Sequence, residues 1–307
     1  MRTGNAMKDT FTKDKEITEE SKASINWFPG HMTRTLRVME KEIKNVDALV
    51  VLLDARIPYS STNPEIEKIA RNKPKVYVLN KRDLADEEIT AQWVKYYKDH
   101  ANGAVAVNAK RGQNIKAVLN SINNELDELL KRRESRGIEN LKNRAMIVGI
   151  PNVGKSTLIN ALAGKSRTKA ADKPGVTRGK QWISLDSIDL LDMPGVLWPK
   201  FENNVVASNL AFIGSIRDEI LDVETLAMSL LSELKVIYPK MLMERYKLTE
   251  EELALDDYDL LCLIARKRGM LMSGGVENTE RCRNMLLDEF RSSKMGRISL
   301  ERPPEDE

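Results

Sequence analysis

The segment from Gly149 to Ser156 constrains the fold of this chain most strongly. It reads Gly-Ile-Pro-Asn-Val-Gly-Lys-Ser, follows the apolar run Ala145–Val148 and opens a run with helical spacing. A Gly-rich turn between a strand and a helix surrounds an anion with backbone N–H groups and the positive helix end. Lys155 is then placed to reach the β- and γ-phosphates of a nucleotide, and Ser156 to hold Mg²⁺. The predicted nucleotide-binding residues of this phosphate loop are Asn152, Val153, Gly154, Lys155, Ser156 and Thr157.

Short apolar runs alternate with longer amphipathic runs between residues 46 and 191. This pattern predicts an α/β fold with a mostly parallel sheet covered by helices on both faces. After about residue 205, apolar residues recur only at helical spacing, which predicts an all-helical domain. The predicted organisation is a disordered tail over 1–24, a nucleotide-binding domain over 25–205 and a helical domain over 206–307.

Composition excludes several classes of protein. The 307 residues carry a net charge of only +3, which argues against a crude polyanion binder. The two cysteines exclude a disulfide framework and indicate a reducing compartment. No apolar stretch is long enough to span a membrane, and the acidic first 24 residues do not resemble a targeting peptide. We therefore expect a cytoplasmic protein that does not associate with membranes.

Two segments downstream of the phosphate loop are suited to a γ-phosphate and its metal ion. Asp192-Met-Pro-Gly195 follows the predicted strand Ile188–Leu191. There Asp192 is placed to hold the water shell of Mg²⁺, and the Gly195 N–H to meet the γ-phosphate. Thr177 lies in a basic loop between the two motifs and is a candidate ligand of Mg²⁺ and the γ-phosphate. An ordinary surface turn is the alternative for that loop.

An upstream tetrad predicts which base is bound. Asn80-Lys81-Arg82-Asp83 follows the predicted strand Lys75–Leu79. Asp83 is suited to accept hydrogen bonds from guanine N1–H and the N2 amine, which adenine does not offer, so an ATPase is disfavoured. Asn80 is predicted to tie this loop to the phosphate side, and the stem of Lys81 to cover the base. Asn108-Ala109-Lys110 follows the next strand and places the Ala109 N–H for guanine O6, although serine is usual at the position of Asn108.

The order of these motifs is reversed relative to ordinary Ras-like GTPases, in which the phosphate loop comes first. The chain therefore looks like a circularly permuted Ras-like P-loop GTPase domain with a C-terminal all-helical domain. With the segments Asn26–Met32, Asp54–Pro58 and Arg266–Gly269, it resembles the ribosome biogenesis GTPase A (YlqF-type) family. The resemblance implies a monomeric enzyme that hydrolyses GTP to GDP with Mg²⁺ in a late step of large (50S) subunit assembly. The implied partners are 23S-type rRNA, ribosomal proteins and immature large-subunit particles.

The catalytic candidates are Lys155, Thr177 and His31. Val196 follows Gly195 where many GTPases place the glutamine that orients water, so unaided hydrolysis should be slow and stimulated by the ribosome. His31, in the family's Pro-Gly-His-Met segment, is a candidate replacement, and a capping or packing histidine is the alternative. Asn152 is a possible K⁺ ligand, as in related potassium-stimulated GTPases.

A basic stripe is the candidate RNA-binding surface. Arg34, Arg37, Lys41 and Lys44 fall on one side of a predicted helix whose apolar residues lie opposite. Further candidates are in the tail: Arg266, Lys267, Arg268, Arg281, Arg283, Arg291, Lys294 and Arg297. A solvated face without a partner is the alternative. Two functions stay open, an enzyme triggered by the ribosomal particle and a GTP-gated placeholder in which hydrolysis serves only release.

Overall fold

The computed structural model describes residues 30–100, 103–137, 142–164, 180–185, 188–201 and 203–304. Six strands in the first two-thirds of the chain form one sheet, as the alternation of apolar runs predicts. The strands are β1 (Ala48–Asp54), β2 (Lys75–Asn80), β3 (Gly103–Ala106), β4 (Asn143–Gly149), β5 (Gln181–Ser184) and β6 (Ile188–Asp192).

The order of the strands in the sheet is β3-β2-β1-β4-β6-β5. Strand β4 pairs in parallel with β1 on one side and with β6 on the other, so the phosphate loop leaves the middle of the sheet. Only β5 runs antiparallel, along β6. The first strand in the sequence, β1, and the last, β6, therefore flank β4, which leads into the phosphate loop. This is the arrangement that a circularly permuted domain requires.

Helices cover both faces of this sheet. They are α1 (Gly30–Glu42), α2 (Pro64–Ile69), α3 (Glu87–Asp99), α4 (Ile115–Glu134) and α5 (Lys155–Ala163). Their starts carry local signals: the Asn63 side chain accepts from the N–H of Glu65 before Pro64, and the Asp86 side chain accepts from the N–H of Ile89. All seven residues of β1 are buried, as expected for a central strand with helices on both sides.

The described residues from 203 onward form helices, with one isolated bridge between Leu271 and Glu277. Thr249 and Glu252 make the predicted capping box, in which each side chain bonds the backbone N–H of the other residue. The helices are α6 (Asn204–Phe212), α7 (Val223–Ile237), α8 (Pro239–Tyr246), α9 (Glu250–Leu253), α10 (Asp257–Lys267) and α11 (Thr279–Arg291). None of the helices within the described ranges is long and apolar enough to cross a bilayer.

The last described residues return to the sheet. The Ile298 N–H donates to the Leu84 carbonyl, and the Leu300 N–H donates to the Arg56 carbonyl at 2.9 Å. The buried carboxylate of Glu301 accepts from the Tyr59 and Ser60 N–H groups, from the Ser60 hydroxyl and from the Asn209 amide. Residues 298–301 therefore form a C-terminal strap that joins α6 to the loop that follows β1. Helical periodicity does not predict this contact.

Candidate functional site

The phosphate loop lies between β4 and α5, in the predicted strand–turn–helix context. Gly154, the residue before α5, has φ 100°, where side chains are rarely tolerated. A Cβ atom on it would lie 2.4 Å from Asn80 Nδ2, so the close approach of the two loops depends on glycine here. The N-terminus of α5 therefore lies at the edge of the sheet where the parallel strands end.

Asn80 connects the three loops that the sequence assigns to a nucleotide. Its Nδ2 donates to the Val153 carbonyl at 2.8 Å, and its Oδ1 accepts from the Ala109 N–H at 3.1 Å. The predicted tie between base loop and phosphate loop is thus present, and it extends to the loop after β3. The three loops form one rim at the end of the sheet where ligands of parallel α/β folds bind.

The base side of this rim has a polar group that the protein does not satisfy. Asn108 is buried, and its Oδ1 accepts from the Arg111 N–H at 3.0 Å, but its Nδ2 has no hydrogen-bond partner within the described residues. A buried donor without a partner costs about 1–3 kcal/mol, so such groups are rare outside ligand sites. Asp83, in the loop after β2, is half-buried and lines an open recess with Arg82 and Arg111. These features fit a base with polar edges.

The phosphate side is built around a buried lysine. Lys155 Nζ lies 3.2 Å from the Gly149 and Ile150 carbonyls, where it donates to the loop's own backbone. Burial lowers the pKa of Lys155 to about 8, and the charge of Asp192 at the end of β6 opposes that shift. Gly195 approaches so closely that a Cβ atom on it would lie 2.8 Å from Lys155 Nζ. The predicted γ-phosphate glycine and the predicted phosphate lysine are therefore neighbours.

Two relatives match this chain over almost their whole length. Ribosome biogenesis GTPase A of Bacillus cereus is 42% identical over 282 residues, covering 92% of this chain and 95% of that protein. The protein of that name from Priestia megaterium is 43% identical over 286 residues, covering 92% and 99%. The chain belongs to the ribosome biogenesis GTPase A family.

Solved structures agree with this assignment. The GDP-bound structure of Thermotoga maritima YlqF superposes with a TM-score of 0.62 at 26% identity, covering 87% of this chain and 99% of its own. The GNP-bound YlqF of T. maritima gives a TM-score of 0.60, also at 26% identity, covering 88% and 98%. A family model described as a 50S ribosome-binding GTPase matches residues 144–284. The predictions of a P-loop GTPase fold, of GTP and GDP binding and of GTP hydrolysis are thereby confirmed.

Family members need a residue that handles the attacking water, and Val196 does not offer one. Its side chain is completely buried, and its backbone carbonyl accepts from Asn63 Nδ2 at 3.1 Å. The position after Gly195 is thus turned into the core. An apolar, buried side chain cannot orient water, so the group that does so must come from elsewhere.

The side chains of two predicted catalytic residues are not among those that the structure describes. Thr177 lies outside the described residues, and the side chain of His31 does too, although its backbone belongs to the first turn of α1. The neighbouring Met32 is buried, and the Leu197 N–H donates to its sulfur at 3.4 Å. The start of α1 therefore packs against the backbone two residues beyond Gly195.

The chemistry of the donors fits a magnesium ion held mostly by phosphates. Ser156 and Asp192 offer a hydroxyl and a carboxylate, the oxygen donors that Mg²⁺ prefers. No group of three His, Cys, Asp or Glu side chains in the described part of the chain is arranged to hold a metal ion unaided. The protein's own groups would therefore complete, rather than form, the metal's coordination shell.

A buried ion-pair cluster supports the base loop, and sequence motifs alone did not assign it a role. Arg56 makes a two-bond contact with Asp54, at 2.9 and 2.8 Å, and Lys81 Nζ lies 3.1 Å from the same carboxylate. Burial alone raises the pKa of Asp54, but the charges of Arg56 and Lys81 outweigh it and hold the pKa below its usual range. Lys81 therefore has its ammonium fixed at the end of β1 while its stem remains beside the base loop.

The helical part of the chain touches the phosphate loop directly, which the sequence did not indicate. Asn152 has φ 59° and donates through Nδ2 to the Gly214 carbonyl at 2.7 Å. The Ser215 hydroxyl donates to the Pro151 carbonyl at 2.9 Å. Behind this turn, Arg291 on α11 bonds the Phe212 and Ala211 carbonyls and pairs with Asp218. The phosphate loop and the helices consequently share one hydrogen-bonded contact.

The basic stripe is present as predicted, and it runs along α1 into the short 3-10 helix Ile43–Asn45 that follows. Met32, Met39 and Ile43 are buried against the core, whereas Arg34, Arg37, Lys41 and Lys44 are exposed. Most of the basic candidates in the tail are instead paired within the protein. These ion pairs are Arg266–Glu277, Lys267–Glu252, Arg268–Glu289, Arg283–Glu224, Arg291–Asp218 and Arg297–Glu87. The α1 stripe is therefore the better-supported polyanion surface.

Nucleotide binding should take up a proton near pH 8, because phosphates favour the charged form of Lys155. In the free protein its pKa is about 8, so Lys155 loses its proton as the pH rises through that value. The affinity for GDP should then fall progressively above pH 8, by up to about tenfold per pH unit. Calorimetric titrations in buffers with different ionisation enthalpies measure the proton uptake, which should be larger at pH 8.5 than at pH 7.5, where the terminal phosphate of GDP is already ionised.

The matched control is Lys155→Arg, which keeps its charge throughout this range and should show no such uptake. Equal proton uptake by the two proteins at pH 8.5 would contradict the assignment of the shift to Lys155.

Proposed function

We propose that this protein binds immature large ribosomal subunits in its GTP form and hydrolyses GTP there in a late assembly step. The observation that carries the nucleotide part is the bridge through Asn80, which joins base loop, phosphate loop and alanine loop into one rim. The ribosomal part rests on relatives named for ribosome biogenesis that match over nine-tenths of the chain. The exposed stripe on α1 supports rRNA as a partner, together with neighbouring ribosomal proteins.

Different residues of the site bind the base, the phosphates and the metal ion of GTP. Asp83 accepts from the guanine edge, and the Asn108–Ala109 segment supplies donors opposite it. Lys155 leaves its carbonyl partners to contact the β- and γ-phosphates, while the Gly195 N–H meets the γ-phosphate. Mg²⁺, when bound, neutralises phosphate charge, and the groups that would complete its shell are Ser156, Thr177 and Asp192.

Two further roles follow from the same arrangement. His31 replaces the missing glutamine as the group that orients water, because the start of α1 packs beside Leu197. Asn152 would be the protein's ligand to K⁺, since its Nδ2 is bonded to the Gly214 carbonyl and its Oδ1 is the side-chain oxygen left to bind a cation. The Gly214–Ser215 contact also links nucleotide state to the helices, so GTP and GDP forms should differ in affinity for the particle. Equal binding of both forms would refute that link.

The main test is GTP turnover by the full chain, with and without purified immature large-subunit particles, in K⁺ and in Na⁺. We expect slow turnover alone, at least tenfold stimulation by the particles, and faster turnover in K⁺ than in Na⁺. Turnover that particles leave unchanged would overturn the ribosomal assignment, whereas equal rates in the two salts would overturn only the role of Asn152. We also expect a cytoplasmic monomer, which sedimentation and cell fractionation would check.

A placeholder role is the alternative function. Thr177→Ala and His31→Ala distinguish the two, since each should retain GTP and particle binding while losing hydrolysis. If such a variant still completed subunit assembly, hydrolysis would serve only release. If assembly stopped, hydrolysis would be part of the assembly step itself.

A further inference from the structure

Trp182 is exposed at one edge of the sheet. It lies on β5, which pairs only with β6 in the described sheet, and 41% of the residue is accessible to solvent. Trp93 and Trp198 are buried by comparison. A large aromatic side chain at an edge strand leaves an apolar face in water, which is costly unless something covers it.

Positively charged residues lie next to the Trp182 ring or to its strand. The guanidinium of Arg144 on β4 lies 5.6 Å from the ring centroid, within the range of a cation–π contact. Lys142 is exposed and donates to the Ser184 hydroxyl on β5, and Lys180 precedes that strand. The ring therefore contacts one guanidinium group, and two lysines lie on or beside the residues of its own strand.

This surface continues into the basic stripe of α1. Lys180 Nζ pairs with Glu42 Oε1, at the last residue of α1, at a distance of 2.8 Å. An open recess beside the ring is lined by residues of α1's end and of β5, among them Asn45 and Ser184. Two acidic residues, Glu42 and Asp189, line the same recess. Glu42 is paired with Lys180, and Asp189 accepts from the Ser184 hydroxyl at 2.7 Å. The remaining cations, Lys41, Lys44, Lys142 and Arg144, outnumber them, so the combined surface is basic with one aromatic face.

We propose that Trp182 and Arg144 stack an unpaired RNA base, while Lys41, Lys44 and Lys142 contact the flanking phosphates. The proposal rests on the proposed function and adds the form of RNA recognised, a strand with a splayed-out base. Every nucleobase has an aromatic face, and stacking on such side chains combines with a basic groove in proteins that bind single strands. An acidic peptide would match the charges but would leave the aromatic ring uncovered.

The test compares wild type and Trp182→Ala for binding to an unpaired 12-nucleotide RNA and to the same strand in a blunt-ended duplex. With GTP-bound full-length protein, Trp182→Ala should bind the unpaired RNA roughly tenfold more weakly and the duplex as wild type does. For Trp182→Ala, the slope of log affinity against log salt concentration should equal that of wild type, because the phosphate contacts remain. Trp182→Phe should restore most of the affinity, whereas Trp182→Leu should behave like the alanine variant.

Tyr258→Ala is the matched control, because Tyr258 is an aromatic residue of similar exposure on α10. It should leave RNA binding unchanged. Wild-type affinity of Trp182→Ala for unpaired RNA would overturn the proposal, as would equal losses on both RNAs. GTP turnover and particle binding by wild type test the proposed function separately, so its failure would be recognised without these variants.

Discussion

Replacing Asp83 with asparagine should lower the affinity for GDP and GTP by roughly a hundredfold or more. The carboxylate is expected to accept two hydrogen bonds from the guanine edge, and hydrogen bonds to charged groups contribute about 1.5–3 kcal/mol each. An asparagine side chain keeps the shape but turns one acceptor into a donor that faces guanine donors. Equilibrium titration with a fluorescent GDP analogue measures the loss.

The same variant has an internal control in the xanthine nucleotides. Xanthine carries a carbonyl oxygen where guanine carries the N2 amine, so Asp83→Asn should bind xanthosine diphosphate more tightly than wild type does. A general loss of affinity for both nucleotides would mean that the loop was damaged. Unchanged GDP affinity would refute the role of Asp83 in reading the base.

Replacing Arg56 with alanine should lower the free energy of unfolding by about 3–5 kcal/mol, because it leaves a buried carboxylate without its main partner. Arg56 and Asp54 are both almost fully buried, and the backbone of Arg56 also holds the C-terminal strap through Leu300. Lys81 alone then faces Asp54, so the pKa of Asp54 should rise and the loss should ease as the pH falls. Urea unfolding followed by circular dichroism measures the change.

Two controls separate burial from charge in this experiment. Lys68→Ala removes a surface ion pair with Glu65 and should cost less than about 1 kcal/mol. The double variant Asp54→Leu with Arg56→Met should be more stable than Arg56→Ala, because it leaves no unpaired charge in the core. If Arg56→Ala cost no more than Lys68→Ala, the cluster would not be a stabilising element.

The sheet and the three loops assigned to the nucleotide could be predicted from the sequence alone. Strand and helix positions follow from local apolar periodicity. The predicted and observed ends differ by only one or two residues, as for β2, which is predicted over Lys75–Leu79 and observed over Lys75–Asn80. The loop residues are fixed by chemistry: Asn80 alone suits the tie between the loops, and only glycine suits the position of Gly154. Such local constraints leave signals in short motifs.

Contacts between distant parts of the chain left no such signal. The hydrogen bonds of Ser215 to Pro151 and of Glu301 to Ser60 join segments without a shared motif. The tail's arginines looked like an RNA surface because sequence shows charges but not their partners, and Arg291 is in fact paired with Asp218. The division of the net charge, +9 over residues 1–210 and −6 beyond, is consistent with an ion-paired helical part.

The C-terminal strap has a consequence for how the chain matures. Glu301 bonds residues that lie 241 and 242 positions earlier, so these contacts form only after the whole intervening chain has been synthesised. During translation, β1 and the base loop emerge long before the strap and before β4, their central neighbour in the sheet. Closing such long loops slows folding and leaves a partly assembled sheet exposed in the meantime. A chain truncated before Ile298 should therefore aggregate more readily than the full-length protein, even though every nucleotide motif is intact.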